Sequence, residues 1–297
     1  MKLRFIEYWI LHPFWGGIDY LTFSFLRLFP LNQVSGFGAF VGKLAKKRFK
    51  QANLDTSANL QLLIPEITNE QKLLTSDVMW QNIARTLSEM AVLDKLNIGK
   101  NIEENDLNVL HRLDKNKPVV FLFPHLGNWE ILAMSVSNQG FKLNVMFEKI
   151  PNRFQRKLLI TARKRIGYDL ITPDYQGTRK LFKVLAAGES VGLAMDEFSN
   201  NKIVAPVFNG TISDRSNIYY AITLARRFDA PIVLGLCKRL YKTSFQVNYD
   251  NPIYLSSPEY LGQSDEYFAE MINIRLKKWI LENIDQWYML HRARING

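Results

Sequence analysis

His125 and Glu130 are the residues of this sequence whose types and spacing best suit catalysis. They lie in the segment Phe-Pro-His-Leu-Gly-Asn-Trp-Glu, residues 123–130. A carboxylate that accepts a hydrogen bond from one imidazole nitrogen fixes the tautomer and leaves the other nitrogen free to take a proton. A substrate hydroxyl needs such a base to attack an ester or thioester near neutral pH. We therefore predict that His125 is a general base and that Glu130 is its partner, with a solvated loop histidine as the alternative.

The flanking elements favour the catalytic interpretation. Residues 119–123 read as a buried strand, and His125 follows its carboxyl end, where open α/β sheets place ligand-binding and catalytic groups. Gly127 and Asn128 permit a tight turn, and a helix is expected from residue 129. The turn and the helix N-terminus offer backbone N–H groups that could stabilise an oxyanion.

Hydrophobic periodicity predicts an α/β fold whose N-terminal third is helical. Residues 38–63 and 69–96 have helical spacing, and Thr68 with Gln71 suggests a capping box. From residue 118, apolar strands alternate with helices, which indicates a central, mostly parallel sheet flanked by helices. We expect a single domain over 36–297, with strands at 118–123, 143–147, 190–195, 203–208, 231–237 and 244–247 and helices at 129–138, 152–166, 176–187, 215–228 and 264–284.

Residues 1–35 form a hydrophobic segment rich in aromatic side chains. Charged residues interrupt it, and Pro13 with Gly16-Gly17 would break a continuous spanning helix. The pattern favours a helix in the membrane interface, with Trp9 and Trp15 at headgroup depth. A hydrophobic helix packed on the protein's own core is the alternative.

Composition limits the possible function classes. The net charge of +10 favours anionic partners, among them lipid headgroups and acidic carrier proteins. Nucleic acid is not expected, because no helix-turn-helix, zinc or RNP-like signature accompanies the Lys and Arg residues. The single Cys237 allows no disulfide within the chain, and no metal or organic cofactor is expected. A Gly-x-Ser-x-Gly pattern occurs at residues 188–192, but a helix is expected before it and a strand from Ser190 onward, the reverse of the strand-turn-helix order of a nucleophile elbow, so no such elbow is expected.

Two further residues are candidates for the site. Arg163 lies on a basic helix face that could bind phosphate, with a solvated face as the alternative. Asp196 ends an apolar strand, where a carboxylate is costly unless it is paired, solvated or functional, and a simple turn residue is the alternative.

The segment Pro-His-Leu-Gly-Asn-Trp-Glu resembles the His-x4-Glu motif of the lipid A late acyltransferases, the lauroyl/myristoyl branch of the lysophospholipid acyltransferase superfamily. Further similar segments occur along the chain: Asn59-Leu60 followed by Pro65; Trp80-Gln81-Asn82 followed by Arg85 and Glu89; residues 162–165; residues 185–191 with the strand that closes on Asp196; residues 204–210; and residues 286–292.

This resemblance implies a glycerol-3-phosphate acyltransferase-like fold and catalysis by His125 and Glu130, with Arg163 and Asp196 as substrate-binding residues. It also implies an acyl carrier protein thioester as donor and a phosphorylated glycolipid as acceptor, at the cytoplasmic face of an anionic bacterial inner membrane. Departures at Leu126, Glu197, Asn209 and Leu290 leave the acceptor open among a lipid A precursor or related glycolipid, a lysophospholipid and another lipid. A thioesterase-like hydrolase and a non-catalytic basic membrane-binding protein are the competing classes.

Overall fold

The computed structural model describes residues 5–148, 150–292 and 294–295. The first four residues of the predicted segment 1–35, and four residues of the predicted domain 36–297, lie outside this description. Helices and strands alternate over most of the chain. The helices are α1 (His12–Leu26), α2 (Leu31–Arg48), α3 (Lys50–Leu63), α4 (Asn69–Glu89), α5 (Leu107–His111), α6 (Glu130–Asn138), α7 (Arg153–Lys164), α8 (Tyr175–Ala186), α9 (Asn217–Phe228) and α10 (Asp265–Glu282). The strands are β1 (Ile102–Glu104), β2 (Val120–Phe123), β3 (Leu143–Met146), β4 (Asp169–Ile171), β5 (Ser190–Ala194), β6 (Glu197–Ser199), β7 (Lys202–Ala205), β8 (Ile232–Tyr241) and β9 (Ser244–Tyr249).

A mostly parallel sheet forms the centre of the fold. Its strand order is β1-β9-β8-β2-β5-β3-β4, and the β8–β9 pairing is antiparallel whereas the others are parallel. Strand β2 is buried along its whole length, as expected for a central strand covered on both faces. Apolar clusters lie on the two sides of the sheet. The predicted α/β class, with a helical N-terminal third, is confirmed.

Differences from the predicted elements are confined mainly to their ends and to the short pieces. The helix expected over 38–63 is two helices, because the backbone leaves the helical region at Phe49 with φ −96° and ψ 68°. The helix expected over 69–96 is α-helical only to Glu89 and continues as a 3₁₀ turn to Lys95. The predicted capping box at its start is present, since Thr68 and Gln71 exchange hydrogen bonds of 3.2 and 2.8 Å.

The N-terminal helix α1 is docked on α7, and much of its remaining surface is exposed. At Gly16, an added Cβ would come within 2.3 Å of the Phe154 side chain, so the two helices touch closely here. Asn152, which caps α7, also donates a hydrogen bond of 3.1 Å to the carbonyl oxygen of His12. Trp9 and Trp15 are nevertheless 57% and 53% exposed. Within the described residues, no helix is long and apolar enough to cross a membrane.

Candidate active site

His125 lies two residues beyond β2, at the carboxyl edge of the sheet. Strand β5 runs parallel to β2 with Phe123 opposite Ala194, so the residues that follow the two strands are neighbours. The His125 carbonyl oxygen accepts a hydrogen bond of 3.0 Å from the backbone N–H of Tyr288. The C-terminal segment therefore holds the turn from its other side.

Asp196 is the carboxylate that pairs with His125. Its Oδ1 lies 2.9 Å from both the backbone nitrogen and Nδ1 of His125, and its Oδ2 accepts a hydrogen bond of 2.9 Å from Nε1 of Trp287. An ionised carboxylate only accepts hydrogen bonds, so Nδ1 carries a proton and Nε2 has the lone pair. Nε2 makes no hydrogen bond with any residue that the structure describes. The side chain of Asp196 is fully buried, whereas that of His125 remains 25% exposed.

The environment of His125 strengthens it as a base. Burial alone would lower the pKa of His125, but the charge and hydrogen bond of Asp196, helped by the charge of Glu130, outweigh that effect. The pKa of His125 therefore lies above its ordinary value of 6.5. A base with such a pKa has a stronger drive to accept a proton from a hydroxyl.

Glu130 belongs to a separate cluster. Its carboxylate accepts hydrogen bonds from Arg163 Nη2 at 2.7 Å and Nε at 3.0 Å, from Trp129 Nε1 at 3.1 Å, and from the hydroxyl of Tyr168. Burial would raise the pKa of Glu130, but the charge and hydrogen bonds of Arg163, with those of Tyr168 and Trp129, bring it below its ordinary value. Glu130 is therefore a buried anion paired with Arg163.

His125 and Glu130, which we predicted as partners, form no hydrogen bond with each other in the structure, since each has a different partner. Glu130 is the first residue of α6, and its carboxylate faces Arg163 on α7. Asp196 follows β5, which is hydrogen-bonded directly to β2, and so it reaches His125. The two residues that we expected to bind substrate are thus both engaged inside the protein. Asp196 is in contact with the base, and Arg163 is in contact with Glu130.

A cavity of about 490 Å³ opens onto these groups. Its apolar lining includes Phe123, Ala133, Val145 and Leu193. Its polar lining includes both pairs and six other residues: His125, Asp196, Glu130, Arg163, Tyr168, Glu148, Glu197, Asn217, Tyr288 and Arg292. A mostly apolar cavity with a few convergent polar groups is typical of a binding site for a molecule with a hydrophobic part.

The sequence is matched along nearly its whole length by one family. The family model described as bacterial lipid A biosynthesis acyltransferase covers residues 1–293. The chain belongs to this family. The resemblance recognised from the His-x4-Glu segment is therefore confirmed.

Two curated relatives carry lipid A biosynthesis names, and each matches less than half of this chain. The chain is 26% identical to lipid A biosynthesis acyltransferase 2 of Shigella flexneri over 134 residues, which are 44% of this chain and 41% of that protein. It is 27% identical to lipid A biosynthesis myristoyltransferase of Escherichia coli K12 over 134 residues, 44% of this chain and 40% of that protein. The matched part spans about two fifths of the length of these relatives.

In this member of the family, a buried ion pair supports the turn that carries His125. Arg239 donates to both oxygens of Glu89 at 2.7 and 2.9 Å. Glu89 also accepts a hydrogen bond of 2.9 Å from Nδ2 of Asn128, and Thr86 donates one of 2.8 Å to the carbonyl oxygen of Gly127. Helix α4 and strand β8 therefore clamp the turn through side chains.

Some of the backbone N–H groups expected to stabilise an oxyanion are already bound. The His125 N–H is taken by Asp196, and the Leu126 N–H is taken by the carbonyl oxygen of Pro124 at 2.8 Å. The Glu130 N–H points to Oδ1 of Asn128 at 3.3 Å. Any stabilisation of an oxyanion in this acyltransferase-family site must therefore come from other donors.

Sequence reasoning did not single out several residues that complete the site. Trp287 donates a hydrogen bond to Asp196, and the hydroxyl of Tyr168 donates one to Glu130. Tyr288 lies with its ring centroid 6.2 Å from that of His125. The similarity of residues 286–292 to the end of the family pattern was the available signal for Trp287 and Tyr288.

Proposed function

We propose that this protein is an acyltransferase that moves a fatty acyl chain from an acyl carrier protein thioester to a hydroxyl of a phosphorylated glycolipid such as a lipid A precursor. The observation that carries the proposal is the pair of His125 Nδ1 and buried Asp196, 2.9 Å apart, in the lining of a mostly apolar cavity. Family membership and the names of the curated relatives support the acyl-transfer class and the glycolipid acceptor.

The chemistry follows from the hydrogen bonds of His125. Its Nε2 removes the proton from the acceptor hydroxyl, and the resulting oxygen attacks the carbonyl carbon of the thioester. The tetrahedral intermediate then loses its C–S bond, and the departing thiolate takes the proton back from Nε2. Asp196 holds the required tautomer and stabilises the imidazolium that forms between the two steps. The products are an ester and a free thiol, so protons and electrons balance.

Glu130 and Arg163 contribute as a positioning pair. Burial lowers the pKa of Arg163, but the charge and hydrogen bond of Glu130, together with those of Tyr168, raise it above its ordinary value, so Arg163 stays charged. A fully hydrogen-bonded ion pair ties the start of α6 to α7 and so fixes one wall of the cavity. We propose this role for both residues in place of direct participation in proton transfer.

The exposed aromatic side chains of α1 and the turn before it favour attachment to an anionic membrane surface. Phe5 and Tyr20 are 62% and 64% exposed, and such side chains suit the interface between water and lipid. The exposed basic residues that would complement anionic headgroups lie at the end of α2 and the start of α3: Lys43, Lys47, Arg48 and Lys50, whereas Lys46 pairs with Asp77. We propose that the protein attaches through these side chains to the cytoplasmic face of a bacterial inner membrane.

Attachment is tested by flotation with phosphatidylglycerol-containing vesicles. The variant with Trp9→Ser and Trp15→Ser is expected to bind the vesicles at least tenfold more weakly. Tyr175→Ser is the matched control, since Tyr175 is also exposed, at 77%, but lies on α8. Equal binding of all three proteins would contradict the proposed surface.

The proposed activity is tested by incubating purified protein with acyl carrier protein thioesters and either a lipid A precursor or a lysophospholipid. Mass spectrometry of the products reads both the acyl mass and the lipid that received it. We expect transfer by the wild type and its loss in His125→Ala. Transfer by His125→Ala at the wild-type rate would contradict the role of the base, and thioester cleavage without acyl transfer would favour a hydrolase.

A further inference from the structure

Arg292 is an exposed arginine that lines the cavity beside the proposed base. Its guanidinium carbon lies 4.9 Å from the centre of the Phe198 ring and 5.7 Å from that of Tyr288. Tyr288 packs in turn against His125 and Trp129, with ring centroids 6.2 and 5.3 Å apart. Two aromatic rings therefore hold Arg292 next to the reacting groups, and cation–π contacts leave its N–H groups available.

The charge of Arg292 is not neutralised within the described part of the chain. Its side chain forms no hydrogen bond and no ion pair there, whereas Arg163, the other arginine of the cavity, is bound by both oxygens of Glu130. The nearby Glu197 is engaged elsewhere, since its carboxylate accepts the backbone N–H of Asn217 at 2.7 Å. Burial, followed by the charge of Asp196, also raises the pKa of Glu197. Glu148 also lines the cavity, and among the described residues it forms no ion pair with Arg292.

We propose that Arg292 binds a phosphate group of the substrate that enters this cavity. A guanidinium presents paired N–H donors that match two phosphate oxygens, and such charge-assisted pairs are among the stronger hydrogen bonds. The proposal rests on the proposed acyl transfer, because both expected substrates contain phosphate. One source is the phosphate on the glycolipid acceptor. The other is the phosphodiester of the carrier protein's pantetheine arm.

The test is a cycle of protein variants and substrates that differ only in phosphate. The variants are Arg292→Gln and Arg292→Lys, with Arg294→Gln as matched control, because Arg294 is an exposed arginine that pairs with Asp55 at 2.9 Å. Acceptors are used with and without phosphate. Donors are the acyl carrier protein thioester and the corresponding thioester of N-acetylcysteamine, which has no phosphate.

Arg292→Gln is expected to raise KM for the phosphate-containing substrate by about 10- to 100-fold, with kcat within a few-fold of wild type. The KM of Arg292→Lys should fall between those of the wild type and Arg292→Gln, because lysine keeps the charge but loses the paired donors. Arg294→Gln should match the wild type. The KM penalty should disappear for whichever substrate has lost the phosphate that Arg292 binds, which identifies the source as acceptor or donor.

Two kinetic results would overturn the inference. An unchanged KM for every substrate would remove Arg292 from binding, and a penalty that persists without any phosphate would indicate packing against Phe198 and Tyr288 instead. Calorimetric binding of glucosamine 1-phosphate and pantetheine 4′-phosphate separates this question from acyl transfer. Binding that depends on Arg292 in a protein without transferase activity would leave the phosphate site intact while the proposed function failed. Absence of binding together with normal acyl transfer would contradict the phosphate site while the proposed function stood.

Discussion

Asp196→Asn is the substitution that most directly tests the proposed base. The Asp196 carboxylate accepts hydrogen bonds from the backbone and Nδ1 of His125 and from Nε1 of Trp287. An asparagine has one oxygen to offer in place of two, so its amide group must face either Trp287 or His125. In the first orientation, two donors oppose each other. In the second, the amide donates to Nδ1, and the proton of the ring moves to Nε2, which then cannot accept one.

The magnitude follows from these contacts. A buried charge-assisted hydrogen bond contributes about 1.5–3 kcal/mol, and the charge that stabilises the imidazolium is lost in addition. The same change in the Ser-His-Asp triad lowers kcat by about 10⁴-fold through the wrong tautomer. We therefore expect a fall in kcat of about 10²- to 10⁴-fold for Asp196→Asn, or about 3–5 kcal/mol at 1.36 kcal/mol per tenfold change.

The assay is the pH dependence of kcat for acyl transfer. His125 must be neutral to act as a base, so activity falls as the pH decreases through its pKa. Because Asp196 contributes most of the upward shift in that pKa, Asp196→Asn moves the acidic limb to lower pH. Glu130→Gln should move the limb less, since Glu130 acts on His125 through charge alone. Asp265→Asn, a surface change in an ion pair with Arg226, is the control.

A thermal unfolding measurement on each variant establishes that the protein is folded. A larger displacement of the acidic limb in Glu130→Gln than in Asp196→Asn would restore Glu130 as the partner of His125. A limb that stays in place in both variants would remove His125 as the titrating base.

The remaining predictions concern the turn that carries His125. Glu89→Ala leaves the guanidinium of Arg239, only 3% exposed, without its partner and should lower the free energy of unfolding by about 3–5 kcal/mol; adding Arg239→Met should recover part of this loss in a urea titration. Gly127→Ala forces φ of +58° on a residue with a Cβ, which would lie 2.7 Å from the Cys237 carbonyl oxygen. We expect it to cost at least about 1–2 kcal/mol and to lower kcat. Gly17→Ala is the control, because an added Cβ there would meet no atom within 4 Å, and we expect its melting temperature to equal or exceed that of the wild type. Equal melting temperatures for Gly127→Ala and Gly17→Ala would contradict backbone strain at Gly127.

The parts of the fold that local pattern controls were predictable from the sequence. Strand β2 is a continuous apolar run, and the capping box at Thr68 and Gln71 depends on residues three positions apart. Short strands were missed because three-residue segments such as Ile102–Glu104 have too few residues to establish a period. The hairpin of β6 and β7 turns through Asn200 and Asn201, both with positive φ, a signal that Asn-Asn gives only weakly beside Asn-Gly.

The site was predictable as a set of residues but not as a set of contacts. His125, Glu130, Arg163 and Asp196 all line one cavity, as the resemblance implied. Their pairing was beyond the sequence, because it depends on which strands are neighbours. Asp196 and His125 are 71 positions apart in the chain, and they meet only because β5 pairs directly with β2.

The short spacing between His125 and Glu130 has a structural reason that does not require contact between them. Strand β2 ends at Phe123 and α6 begins at Glu130, so the intervening turn fixes both side chains at once. His125 is directed to the neighbouring strand's Asp196, and Glu130 is directed to Arg163 on α7. A loss of activity on replacing Glu130 would therefore not by itself identify it as the orienting carboxylate, because the same change releases Arg163 and the wall it supports. Since Glu130 neutralises Arg163, the arginine charge left to attract a phosphate, among the described residues that line this cavity, is that of Arg292.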